Sequence, residues 1–125
     1  MDIKDKVKSF EDACKVLDIT PSVPVVTGIP EKYQKPLIAN YQLMVIAEAL
    51  NEGWTPDWSN GEWDKWHPWF DMDDSSSAGR FSLGGAAYLN SASDVGSRLC
   101  FKSEELAEYA GTQFLELYRE LFVIE

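Results

Sequence analysis

The sequence predicts a single α+β domain over residues 1–125, in which a small antiparallel three-stranded sheet (about 64–72, 80–89 and 97–102) packs against two long helices. Three observations lead there. Apolar residues recur at helical spacing over 31–52 and again over 103–121. Between those segments they alternate with period two in three short runs. Finally, 45% of the 125 residues are hydrophobic and 13% aromatic, well above the composition of chains that stay unfolded. A chain of this length buries roughly 65–70% of the surface its unfolded form exposes, enough for one core without disulfides.

The first element expected is a short helix over about 9–17, where Ser9 stands three residues before Asp12 as a cap and Ala13, Val16 and Leu17 follow at helical spacing. DITPSVPVVTGIP then carries three prolines and a glycine, which hold the chain extended. The central helix, about 31–52, has Leu37, Ile38, Tyr41, Met44, Val45, Ala49 and Leu50 on one side and Gly53 just beyond as a stop; Pro36 stands near its start. Leu43, Ile46 and Ala47 make it apolar nearly all round, so it belongs at the centre of the fold or at a subunit interface, and the oligomeric state is left open.

In the first strand Trp66, Pro68, Phe70 and Met72 share a face; in the second Phe81, Leu83, Ala87 and Leu89; in the third Leu99 and Phe101. Pro68 has no N–H for a ladder, which puts the first strand at an edge or breaks it there. Gly84-Gly85 predicts a bulge. DMDDSSSAG and NSASDVG are polar connecting loops. Ser103 caps a C-terminal helix of about 103–121 whose first turn carries Glu104 and Glu105 and whose apolar face is Leu106, Ala110, Phe114, Leu117 and Leu121.

The function classes that composition excludes are several. With 21 acidic and 11 basic residues the formal charge is −10, which repels duplex DNA and anionic lipid. Cys14 and Cys100 form no C-x-x-C pair and read as reduced, packed thiols. MDIKDKVKSF lacks the apolar core of a secretory signal and LMVIAEAL is far too short for a membrane span, so a cytoplasmic protein without membrane contact is expected. The single histidine, His67, has no nucleophile placed beside it by a motif. From Asp71, a calcium loop would need a glycine where Ser76 stands and a glutamate where Ser82 stands. No phosphate-binding glycine loop, zinc-binding helix or nucleophile elbow occurs. Neither an enzyme nor a cofactor nor a metal is expected.

All five tryptophans fall between Gly53 and Met72. Trp54, Trp58 and Trp63, with Asp57 beside them, lie in a loop rich in Pro, Asp, Ser, Asn and Gly, where rings either stack on a ligand or pin the loop to the core. Trp66 is expected to point inward and Trp69 to the opposite side of the strand, where it meets a helix, meets a partner or stands exposed. Trp54, Asp57, Trp58, Trp63 and Trp69 are therefore the candidate binding residues, Trp58 and Trp69 foremost.

The blocks FEDACKVLDI, IAEALNEGWTPDW, PWFDM and VGSRLCFKSEELAEYAGTQFLELY resemble a family of small proteins encoded by Bacteroidetes phages and by prophage-like regions of their hosts. The resemblance runs from Phe10 to Tyr118. It implies a mobile-element protein made in a bacterial cytoplasm and supplies no activity, cofactor or site residue. The expected function is a non-enzymatic interaction module that binds a host or phage protein. The alternatives are binding of single-stranded nucleic acid or glycan by exposed tryptophans, for which Lys65, Arg80, Arg98 and Lys102 are the available cations, and, least favoured, carboxylate or histidine chemistry.

Overall fold

A computed structural model describes residues 2–72 and 81–124. The polar run after Met72, with the calcium-loop positions from Asp73 to Ser76 and the cation Arg80, lies outside the described residues. In chain order the elements are α1 (Ile3–Lys6), α2 (Phe10–Leu17), α3 (Glu31–Asn51), β1 (Lys65–Asp71), β2 (Ser82–Leu89), a 3-10 turn (Ser97–Leu99), α4 (Glu104–Gln113) and α5 (Leu115–Phe122).

The helix ends follow the caps written in the sequence. Ser9 Oγ accepts from Asp12 N at 3.1 Å and Ser103 Oγ from Leu106 N at 3.2 Å. Helix α3 starts at Glu31, ahead of Pro36, and Gln34 Nε2 donates to Ile29 O at 2.7 Å across its entry. Its C-terminal half is the centre of the molecule: Leu43, Ile46, Ala47, Ala49 and Leu50 are buried, whereas Tyr33 and Leu37 near its start are exposed. Helices α2 and α5 pack on α3, and α4 lies on the sheet.

The sheet has two strands, not the three expected. β1 and β2 pair antiparallel, and the 97–102 segment contributes one bridge, with Trp66 N donating to Phe101 O at 3.0 Å and Phe101 N to Trp66 O at 2.7 Å. Both directions of extension are blocked. Two residues along β1 stands Pro68, with no N–H to give the next pair on that edge, and two residues after Phe101 the chain is already the cap of α4. The other edge of the short segment is closed by a side chain: buried Asn51 donates from Nδ2 to Cys100 O and accepts at Oδ1 from Lys102 N, both at 3.0 Å. An amide on α3 takes the place of a neighbouring strand.

The bulge falls where the paired glycines placed it. Trp69 lies opposite Gly85 and Phe70 opposite Leu83, so Gly84 is the extra residue. That residue flips the alternation of β2. Phe81 is buried and Leu83 reaches α4 at Gly111, but Ala86, not Ala87, packs against the core, and Leu89 lies across from Lys65 on the far face. The expected inward set of Phe81, Leu83, Ala87 and Leu89 is thus right only up to the bulge.

The C-terminal helix is also two helices. Phe114 sits at the junction with φ −113° and ψ 31°, its N–H still bonded to Ala110 O. Gly111 and Thr112 are weak helix formers just before it, and the break lets α4 follow the sheet while α5 turns onto α3. The turn brings Tyr118 inside, against Phe70 at a ring separation of 4.8 Å.

Candidate functional site

The tryptophan loop is organised by a lysine. Lys65 opens β1 on the face away from the helices and is 1% exposed. Its ammonium donates to Asn60 O at 2.9 Å and to Asn90 O at 2.6 Å, and lies 5.3 Å from the centre of the Trp58 ring. A buried charge is tolerated only when its protons are used, and here two carbonyls and an indole face use them. Trp58 is fixed a second time, because its Nε1 donates to Ser97 Oγ at 2.6 Å. Asp57 accepts from Ser59 N at 3.0 Å and from Ser59 Oγ at 2.6 Å; these bonds, the hydroxyl's first, hold its carboxyl below the usual range. Trp58 and Asp57 thus secure the loop.

With the loop pinned, three indoles gather elsewhere. Trp54, Trp63 and Trp66 line a shallow cleft of about 580 Å³ together with Asp64, Lys102 and Ser103. Trp54 follows the end of α3, where Glu52 and Gly53 turn the chain in left-handed conformations. Trp63 closes a turn in which its N–H donates to Asn60 O and is 49% exposed. Trp66 is held by its bridge to Phe101 and by Tyr88, whose ring lies 4.7 Å away. Asp64 is oriented by Asn90 Nδ2 at 2.6 Å on Oδ1. Lys102 pairs with Glu52 at 3.3 Å, which matches its charge.

Of the candidate residues, then, Trp54 and Trp63 come together, Trp58 and Asp57 secure the loop behind them, and Trp69 stands apart. The Trp69 indole lies flat over Gly84 and Gly85, 48% exposed on the outer face. Sequence reasoning missed Trp66, Asp64, Lys102 and Ser103 as lining residues; Asp64 stands between Trp63 and Lys65 and carries no local mark of its own. Trp66 was read as inward-facing from strand alternation, which is correct but does not keep it from the cleft wall; Lys102 and Ser103 follow Phe101 directly, and nothing local marks where Phe101 docks.

On the far side of Trp54 runs a larger groove of about 920 Å³ between α3 and the 95–99 segment, with Tyr41, Met44 and Leu99 among its apolar walls and Glu48 and Arg98 among its polar ones. The described cations do not converge: Lys65 is buried, Lys102 is paired and Arg98 belongs to this other groove. His67 contacts Pro68 O through Nδ1 at 3.1 Å. Among the described residues no group of three or more His, Cys, Asp or Glu side chains could hold a metal ion, and no helix is long and apolar enough to cross a membrane. Cys14 and Cys100 are free and buried, and burial pushes the Cys100 thiol up to about 11.

No family model, curated protein or solved structure matches the chain.

Proposed function

We propose that this chain is a non-enzymatic interaction module that binds a partner protein through the cleft of Trp54, Trp63 and Trp66. The observation that carries the reading is the convergence of three indoles from separate places in the fold on one open surface, with Trp63 half exposed. Large rigid rings that give much contact area at low entropic cost are the usual anchors of protein interfaces. No nucleophile and base are bonded to each other at the cleft, and its one described cation is already paired with Glu52. A phosphate backbone would meet a molecule of charge −10 with no basic groove at the cleft among the described residues. The resemblance to phage and prophage proteins supports a host or phage protein in the bacterial cytoplasm as the partner.

The test is affinity capture from a bacterial lysate by the 125-residue chain and by Trp63→Ala, with and without nuclease, followed by mass spectrometry. A discrete protein retained by the parent chain and lost with Trp63→Ala is the expected result. Retention that is indifferent to Trp63, or that disappears on nuclease treatment, would overturn the proposal.

A further inference from the structure

The cleft also indicates what kind of group enters it, an inference that rests on the interaction-module reading above. We propose that the cleft receives a cationic side chain, an arginine on a basic segment of the partner, stacked on indole and paired with Asp64.

The argument begins with the charge at the cleft. Among the described residues Lys102 is the one cation on its wall, and Glu52 neutralises it at 3.3 Å. Asp64 remains as the carboxylate facing the cleft, and Asn90 uses only Oδ1, leaving Oδ2 to accept. Next along the chain are more exposed carboxylates, Glu62 before the cleft and Glu104 after Ser103. An incoming anion meets a lysine already paired with Glu52; a cation meets a carboxylate and three ring systems. The faces of indoles carry negative potential and attract cations, arginine most often. A guanidinium is planar, so it stacks flat on an indole while its edge N–H groups bond a carboxylate in a fork; an ammonium can make the two contacts but has neither the flat face nor the fork.

The fold already uses the same chemistry once. In the adjacent loop an ammonium is held over Trp58 by oxygen acceptors and buried to 1% exposure. There the cation is internal and the acceptors are carbonyls. At the cleft the rings and a carboxylate are present, and the described cation beside them, Lys102, pairs with Glu52. A neutral sugar ring would find the indoles equally attractive but would gain little from Asp64 over an amide at that position. This difference makes the two ligand types separable.

The experiment is a titration of the 125-residue chain, labelled with nitrogen-15, with a capped glycine-flanked arginine peptide, its citrulline analogue and methyl glucoside, following the five indole N–H signals. The expected result is movement of the Trp54, Trp63 and Trp66 signals with arginine while Trp58 and Trp69 stay fixed, and binding of citrulline weaker by about tenfold or more. Asp64→Asn, which keeps an oxygen for Asn90, is expected to remove most of that preference, and the unmoved Trp58 and Trp69 signals report that the fold is intact. Equal binding of arginine and citrulline, movement with the glucoside instead, or an undiminished preference in Asp64→Asn would each overturn the inference. If the inference fails while Trp63→Ala still loses its captured protein, the module reading stands without it. If both fail, the cleft is not the contact surface.

Discussion

At the scale of single residues, the tryptophan loop shows how one polar atom sets the role of its neighbours. Lys65 is the most buried charge in the described chain, and its ammonium ties the two carbonyls of Asn60 and Asn90 to the start of β1. Replacing it by methionine keeps the apolar stem but leaves both acceptors without their donor and Trp58 without its cation. Lys65→Met is expected to lose about 2 kcal/mol of stability. Urea unfolding followed by tryptophan fluorescence would read this, and a loss within a few tenths of the parent value would show that the carbonyls find water instead. Trp58, the residue a sequence reading favours for contact, is the ring with its N–H already used, bonded to Ser97 39 positions along the chain. Its neighbours Trp54 and Trp63 were legible as candidates because loops rich in turn residues expose rings. Which of the three would be tied down was not, since the tie is a serine that no local pattern connects to it.

At the scale of elements, the periodicities held and the interruptions decided the outcome. The helices at 10–17 and 31–51 formed where spacing and caps put them, because caps and i, i+4 contacts are local. The third strand did not, because a strand is defined by its neighbour. Pro68 on one side and the Ser103 cap on the other leave room for a single pair at Phe101. The glycines of this region are set by close approach as well. An added Cβ at Gly111 on α4 would lie 2.6 Å from Leu83 Cδ1 and 2.9 Å from Pro68 Cβ, so the helix meets the sheet there with no space to spare. Gly111→Ala is expected to destabilise by about 1–3 kcal/mol through overpacking, although alanine is the better helix former. Thermal unfolding would show a lowered midpoint; a raised one would mean that Leu83 changes rotamer at little cost.

At the scale of the whole molecule, acidity and burial set the pH limits. Cys100 is buried, and desolvation pushes its thiol from 9.0 up to about 11; burial also raises the phenol of Tyr118 well above its ordinary value. Both groups are neutral in the folded state where the unfolded chain would ionise, so the folded form binds more protons in that range. Their contribution is fully present below the unfolded value of 9.0 for the thiol and is lost as pH rises through about 11. Stability is therefore expected to fall from pH 9 upward, by an order of about 2 kcal/mol for the thiol alone by pH 11. Urea midpoints measured from pH 8 to 11 test this, with Cys100→Ala expected to flatten the fall; a constant midpoint would contradict it.

What the sequence determined by itself is what short-range spacing controls: an α+β class, the positions of α2 and α3, the caps at Ser9 and Ser103, the bulge at Gly84, two free thiols and a strongly acidic molecule. These follow from interactions within a few residues or from composition, and both are written along the chain. Only the tertiary structure decided that the sheet stops at two strands, that Asn51 substitutes for a third neighbour, that Lys65 is buried under Trp58, and that Trp54, Trp63 and Trp66 share a cleft with Lys102 and Ser103. Each of those depends on groups distant in sequence competing for the same edge or the same hydrogen bond. A residue's propensity says what it favours alone, and the fold sets which competitor is present.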